Sequence, residues 1–467
     1  MSTKTLRGQV KGDKTRVYRY VEVKRRNSSD GLFEDEWFDI SDKVVKFGNV
    51  SKQIDPQKPN KIVFAGTRIV VDNGDGDFNR EVDDSSIWSG YLTPQRTLVK
   101  ISAGFLHQTL GADKIWTNTE IGNQATSWDE GFLYDIVTST YDLVSDSLFY
   151  GIIQGDINLT DKNEVALPVV PLLQIFRDFP AANILGYNTS ITASGFMNLI
   201  RDQTDGAGGF VFRPFFDDTT SNWSIQSTTS IYPALSTSTG EDVRDATVFD
   251  VMERLAEAEN FVVFVDNAGR FRFQSRDATA TTAWEFYGKG FANNEYGHTI
   301  KNISSLPEKH SRYYSRVRIK YKSEDTTTSY YVKEAAFSVN PLSLGWQYGY
   351  RTLDVDNIWI QTGTTAQVIG DALFTDLSSR KREIEYVTTF IPHLDVLDRV
   401  TISYASGDAP NTENLWDIAN WSPATDTELF WDEISGDPIG LDGVEFKLFS
   451  VEMDLDRLEC KFTAREV

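Results

Sequence analysis

Period-two alternation of β-branched and aromatic residues runs through most of this chain and confines the fold to one built mainly of half-buried strands. Residues 17–23 read Val-Tyr-Arg-Tyr-Val-Glu-Val and 97–105 read Thr-Leu-Val-Lys-Ile-Ser-Ala-Gly-Phe. Ile62, Val63, Phe64, Ile69, Val70 and Val71 carry the pattern through 61–71. Residues 316–321, Arg-Val-Arg-Ile-Lys-Tyr, are apolar or aromatic on one face and cationic on the other.

Three segments switch to a helical period. Phe196, Met197, Leu199 and Ile200 share a face over 192–203, and Val248, Val251, Met252 and Leu255 do so over 247–259. Thr247 and Asp250 have the spacing of a capping box. Val368, Ile369, Ala372, Leu373 and Leu377 predict a third helix over 365–383. It would start at Thr364 and Gln367 and close on Arg380, Lys381 and Arg382, which suit the negative end of a helix dipole. After the second helix, Phe-Val-Val-Phe-Val (261–265), Asp-Asn-Ala-Gly and Arg-Phe-Arg-Phe (270–273) predict a hairpin, completing a small α+β unit between strand-rich flanks.

Those flanks resemble each other. Leu98–Phe105 is matched by Arg399–Tyr404, and Ile115-Trp116 with Trp128-Asp129-Glu130 by Leu415-Trp416 with Trp431-Asp432-Glu433. Leu148–Leu159 with Asn163–Leu167 is matched by Phe446–Leu455 with Leu458–Phe462. Chance likeness between β-hairpins is the plain alternative; a true duplication requires two similar β-domains with the α+β unit inserted between them. The expected fold is thus mainly β with α+β character: two tube-type β-barrel domains and a small inserted domain. The expected boundaries are a basic N-terminal extension (1–34), a first barrel with its Trp-Asp loop (35–175), the inserted unit (176–300), and a second barrel with its helix and acidic Trp-Asp loop (301–467).

Charge narrows the partners. The 467 residues carry 46 Lys and Arg against 68 Asp and Glu, a net of −22, which argues against a sequence-reading nucleic-acid binder. It suits a surface past which DNA slides without sticking. Residues 401–467 hold 15 acids against 4 bases, whereas the first 30 residues hold 9 bases against 3 acids. Such asymmetry fits distinct surfaces for distinct neighbours, or simply solvated faces. Cys460 is the one cysteine, so neither an internal disulfide nor a Cys-based zinc site can form; it alternates with Leu458 and Phe462 as a core thiol would. No apolar run reaches membrane-span length and no signal peptide is evident, so a protein made in a reducing cytosol is expected.

Catalytic signatures are thin. His107, His298, His310 and His393 form no close metal pair, and there is no nucleophile elbow. Gly206-Ala-Gly-Gly209 lacks the Gly-Lys-Ser/Thr of a phosphate loop. Asp129/Glu130 and Asp432/Glu433 sit beside Trp, as in sugar sites, but neighbours on a strand point to opposite faces. Asn73, Asp75, Asp77 and Asp84 fall at calcium-loop positions 1, 3, 5 and 12; Phe78, however, occupies position 6, where that loop needs Gly, and a β-turn explains the same residues. No catalytic, metal or cofactor residue is assigned.

Four stretches together resemble the baseplate or tail-tip hub of tailed bacteriophages, a family found also in phage-derived particles. They are Trp37–Val44; Ile69–Phe78 followed by Trp88–Tyr91; the helix and hairpin over 247–273; and Leu397-Asp-Arg-Val-Thr-Ile402, similar to a Gly-Asp-Arg-Val strand start with Leu397 in place of Gly. The resemblance implies a non-enzymatic virion protein of the tail tip, assembled in the bacterial host cytoplasm. It implies a homotrimer whose two barrels per chain match a sixfold tail tube, with tube and distal tail proteins above, a spike or fibre below, and DNA passing through an acid-lined channel. The competing readings are a tail adhesin using the Trp-Asp loops on carbohydrate and a tail-associated cell-wall hydrolase.

Overall fold

A computed structural model of the chain describes residues 16–25, 32–54, 61–78, 97–109, 140–154, 158–161, 163–181, 191–232, 246–276, 281–288, 300–305, 313–322, 328–341, 343–357, 359–360, 362–379, 381–405 and 440–467. The first ten strands are β1 (Arg16–Lys24), β2 (Phe38–Asp39), β3 (Val44–Lys46), β4 (Asn49–Ile54), β5 (Ile62–Phe64), β6 (Thr67–Asp72), β7 (Leu98–Thr109), β8 (Thr140–Ile153), β9 (Asn158–Asp161) and β10 (Glu164–Pro171). All but β4 and β5 form one antiparallel sheet of order β2-β1-β7-β8-β10-β6-β3, with β9 on β10.

An α+β unit follows. It holds a short 3-10 turn (172–177), β11 (Ile191–Thr192), α1 (Ala193–Asp202), β12 (Trp223–Ile225), β13 (Ile231–Tyr232), α2 (Val248–Glu259), β14 (Phe261–Val265) and β15 (Phe271–Ser275). The capping box at α2 is present: Asp250 N donates to Thr247 Oγ1 at 3.2 Å and Thr247 N to Asp250 Oδ2 at 3.0 Å. The hairpin β14–β15 turns through Asp266, whose Oδ1 accepts from the amides of Ala268 and Arg270, and Gly269, at φ +77°, which abuts the Tyr150 ring so closely that a Cβ would lie 2.7 Å from it.

The second large sheet is built from β16 (Thr282–Tyr287), β17 (Ile300–Ser305), β21 (Glu383–Thr389), β22 (Arg399–Ala405), β23 (Gly440–Asp454) and β24 (Glu459–Glu466) in the order β16-β22-β23-β24-β21-β17. Between β17 and β21 lies a second α+β unit: β18 (Arg316–Lys322), β19 (Thr328–Glu334), the short α3 (Leu344–Tyr348), β20 (Thr352–Asp356) and α4 (Gly363–Leu377), with sheet order β19-β18-β20. The chain is mainly β. The path β1-β7-β8-β10-β6-β3 repeats strand for strand as β16-β22-β23-β24-β21-β17, in space and in chain order. The sequence likeness between the flanks therefore reflects one six-strand connectivity used twice. One ladder differs: β1 runs antiparallel to β7, whereas β16 runs parallel to β22.

The third helix departs from its sequence reading. Thr362, not Thr364, caps it by accepting from Thr365 N at 3.1 Å, and it ends at Leu377. The basic residues lie beyond its end: Lys381 reaches back to Asp376 in its last turn at 3.1 Å, Arg382 bonds Glu466 of β24 at 2.9 Å, and Arg380 lies outside the described residues. Nor does α4 pack on the second large sheet. Its Ala366, Ile369, Leu373 and Leu377 join Val317 and Ile319 of β18 and residues of α1 and α2 in one core. Strand β16 lies within 176–300 yet pairs in the second large sheet.

The two large sheets share a second core. Val21, Ile69, Val99 and Ile101 from one sheet pack with Trp284, Phe286, Tyr386 and Phe462 from the other. The repeats are fused into one body, so their relative orientation is set by packing rather than by a linker. Among the described residues, no helix is long and apolar enough to cross a membrane.

Candidate functional site

The feature that ties the two repeats together is a strand exchange. After β3 the chain leaves its own sheet: β4 pairs with β23 from Asn49↔Asp454 to Gln53↔Ser450, and β5 pairs back on β4. The exit is at Gly48, φ +73°, where a Cβ would lie 2.7 Å from the Arg68 carbonyl oxygen, so only glycine fits. Phe47 N donates to Asp456 Oδ1 at 3.1 Å, and the Arg19 guanidinium bonds the Leu455 carbonyl while lying 4.6 Å from the Phe47 ring centre. The β23–β24 turn of one repeat is thereby held against β1 and β3 of the other.

At the centre of the exchange is Lys52. In β4, Val50, Lys52 and Ile54 face inward, so period two places an ammonium in the core, where Lys52 is 4% exposed. Its Nζ bonds the Asp395 carboxylate at 3.0 and 3.1 Å and also Asn267 Oδ1 in the β14–β15 turn. One side chain thus pins the exchanged strand, the turn before β22, and the first α+β unit. A buried ammonium is tolerated because it is paired and hydrogen-bonded.

The turn before β22 is tightly built. Asp395 N donates to Asp398 Oδ2 at 2.8 Å, and Leu397 N donates to the Leu448 carbonyl at 2.9 Å. Leu397 sits at φ +73° with its side chain buried. This is the position at which the resembled motif has Gly, and the left-handed backbone supplies the reason: a residue without Cβ adopts it freely, whereas Leu does so at a cost of about 1–2 kcal/mol. The Asp398 carboxyl is pushed up to about 7, first by burial and then by the nearby Asp395 charge, against the Asp395 amide and Lys52, which favour its ionised form. Burial, with Asp266 and Asp395 nearby, also raises Asp146.

A raised carboxyl contributes stability that is complete below its unfolded value and lost as pH rises through the folded one. Asp398→Asn keeps an acceptor for the Asp395 amide and removes the charge. The variant should therefore gain stability over the parent progressively from about pH 4 to about pH 7, and hold a gain of about 1–3 kcal/mol above that. Paired melting curves at acid and mildly alkaline pH check it.

A second charge junction joins the α+β units to the second sheet. Asp376 on α4 accepts from Arg276 at 2.8 Å, Lys381 at 3.1 Å and Arg465 at 3.4 Å, while Arg465 also bonds the Asp376 carbonyl oxygen at 3.0 Å. Burial alone would raise the Asp376 carboxyl, but the three cations hold it well below the usual carboxylate range. Lys447 on β23 closes the junction by donating to the Arg276 carbonyl at 2.6 Å.

The motifs weighed for chemistry have local structural roles. In the acidic turn, Asn73 Oδ1 accepts from Phe78 N at 2.8 Å and Gly76 adopts φ +81°. Lys43 Nζ sits 2.7 Å from Asp75 and also bonds Asp77, so the cation at these carboxylates is an ammonium. Its hydrogen bond holds Asp75 below the usual range. In the glycine-rich turn, the Asp205 carboxylate already takes the amides of Ala207 and Gly209, which leaves no cradle for phosphate there. His393 packs edge-on against Trp284 with ring centres 4.9 Å apart. Cys460 is fully buried and its thiol is pushed up to about 12 by burial. His107 lies in β7; His298, His310, Asp84, Trp88–Tyr91 and both Trp-Asp loops lie outside the described residues. Among the described residues, no group of three or more His, Cys, Asp or Glu is placed to hold a metal.

No protein-family model matches the chain, and no curated protein matches it. Solved structures do resemble it over nearly its whole length. A tail protein from Neisseria meningitidis MC58 is 8% identical with a TM-score of 0.47, covering 96% of each chain. The prophage tail protein gp18 from Listeria monocytogenes EGD-e is 9% identical with a TM-score of 0.46, covering 96% of this chain and 94% of that one. The 43 kDa tail protein of prophage MuSo2 from Shewanella oneidensis is 11% identical with a TM-score of 0.44, covering 96% and 98%. All three bear the name of tail proteins.

Proposed function

We propose that the chain is a structural, non-catalytic protein of a phage-type tail, and that within the tail it is the hub at the tip or baseplate. The observation that carries this reading is the six-strand connectivity used twice in one fused body. A closed threefold ring of such chains presents six like sheets, which matches a sixfold tube on one side and leaves threefold symmetry for a spike or fibre on the other. The strand exchange and the buried junctions suit this role, since a symmetry adaptor needs its two repeats held at one fixed angle. The net charge of −22 suits a channel that passes DNA without binding it. The tube-type barrels would correspond to the two large sheets, with the unit of α1, α2, β14 and β15 between the sheets in the chain and that of β18–β20 and α4 between β17 and β21.

Electron microscopy of tail particles containing this chain tests the reading. Three copies around the axis, with both large sheets of each facing a sixfold tube, are expected. A peripheral or non-threefold position would overturn the hub, and a channel lined by Lys and Arg would overturn the acidic passage.

A further inference from the structure

We propose that residues 335–341 and 343–350 form a docking arm for a second copy of this chain, an inference that rests on the tail reading only in naming a surface for the self-association it requires. The arm leaves the end of β19 and returns into β20. It presents Phe337 at 74%, Val339 at 69%, Trp346 at 56% and Tyr350 at 45% exposure. Phe337 and Tyr350 are held in place although they cover no core. Phe337 and Tyr350 stack with ring centres 5.2 Å apart. The Tyr350 hydroxyl accepts from Ser338 N at 2.9 Å and donates to the Ser338 carbonyl at 3.2 Å. Ser343 caps α3 by accepting from Trp346 N at 3.4 Å, and Gly345 packs against the Tyr350 ring, where a Cβ would lie 2.8 Å away. An apolar surface ordered before contact loses little entropy on binding.

Charge and area identify the occupant. Residues 335–350 contain no Asp, Glu, Lys or Arg, in a chain of which 24% is charged. Two copies each carrying −22 repel over most of their surfaces; through the arm they meet without burying a carboxylate. Beside the arm, one sheet face sets Arg318 and Lys320 of β18 against Asp354 and Asp356 of β20. Rows of both signs complement a copy of the same surface, whereas a polyanion such as a nucleic acid meets repulsion from half of them. The four arm side chains expose on the order of 500 Å², most of the roughly 800 Å² that each partner of a stable complex buries. Aromatic enrichment with charge depletion is also the composition of interface centres.

Sedimentation velocity of the full chain at rising concentration, beside Phe337→Glu, Trp346→Glu and Val368→Glu, tests the proposal. Val368 is 61% exposed on α4, away from the arm in sequence, and serves as the control. The parent and the control should self-associate alike, and each arm variant should associate at least about tenfold more weakly. At concentrations low enough that all four are monomeric, melting temperatures should be alike, because none of these side chains belongs to the core. A parent that stays monomeric, or arm variants that associate as the parent does, overturns the arm. In the latter case the tail reading stands on its own test, the position of the chain in tail particles.

Discussion

Asp376→Ala should destabilise the protein by about 3–5 kcal/mol, the cost of leaving buried cations without their counter-charge. Arg276 and Arg465 are 7% and 6% exposed at the side chain, so neither can recover its hydration by a small rotation. The loss should spread beyond α4, because the same carboxylate joins Arg276 just past β15, α4 and β24; the two α+β units and the second sheet lose one anchor together. The pH dependence has the opposite sense to that of Asp398. The Asp376 carboxyl is depressed, so its contribution is complete above the ordinary carboxylate value of about 4 and disappears only as pH falls through the depressed folded value. The parent should therefore lose this contribution only in strong acid, and Asp376→Ala should flatten that part of the acid limb. Asp376→Asn separates the two causes: it keeps an acceptor but not the charge, and should fall between parent and Ala. Thermal melts of the three proteins from neutral pH downward read all of these effects. A loss below 1 kcal/mol for Ala would mean that solvent reaches the junction.

How much of this was legible in the sequence depends on how far apart the interacting residues lie. The α2 helix was readable because its signals are local: Thr247 and Asp250 sit three residues apart, and the apolar face repeats within the helix. The duplication was readable because the order of motifs survives even where single motifs are degenerate. Helix α4 was misread at both ends for a matching reason. Thr362, Thr364 and Thr365 offer several local caps, and Arg382 is claimed by Glu466, 84 residues away. The acidic turn was readable as a turn, but Lys43, which fills it, lies 32 residues upstream of Asp75. Leu397 looked like a blemish in a motif and proves to mark a left-handed backbone position. The pairing of the strand exchange was not legible, since β4 pairs with a strand some 400 residues later. One local hint existed: in Asn-Val-Ser-Lys-Gln-Ile the lysine shares the inward face of Val50 and Ile54, and a charge at a buried register position signals a nonlocal partner.

Lys52→Met should cost about 3–5 kcal/mol, comparable to the loss of Asp376 and for a different structural reason. Methionine fills much the same volume, so the change isolates the charge from the packing. What is left behind is the Asp395 carboxylate, partly buried and with the Val396 amide still on its Oδ1 but no counter-charge, and the Asn267 side-chain oxygen, deprived of the Lys52 ammonium. Asp398 loses a neighbouring cation that favours its ionised form, so the fall in stability that begins near pH 4 should continue to higher pH than in the parent. The double variant Lys52→Met with Asp395→Leu provides the decisive comparison. An apolar pair of similar volume removes the stranded charge, so most of the loss should be recovered, and the coupling energy from the cycle should exceed 1 kcal/mol. A surface pair sets the scale: Lys61 and Glu253 lie 2.8 Å apart with both side chains about a quarter exposed, and Lys61→Met should cost no more than about 1 kcal/mol. Proteolysis under native conditions reads where the Lys52 loss is felt. If Lys52 pins the exchanged strand, cleavage should rise first around β4 and β5, because their release from β23 precedes global unfolding. Cleavage that rises evenly along the chain would instead make Lys52 one core contact among many, and the angle between the two repeats would then rest on their shared apolar core alone.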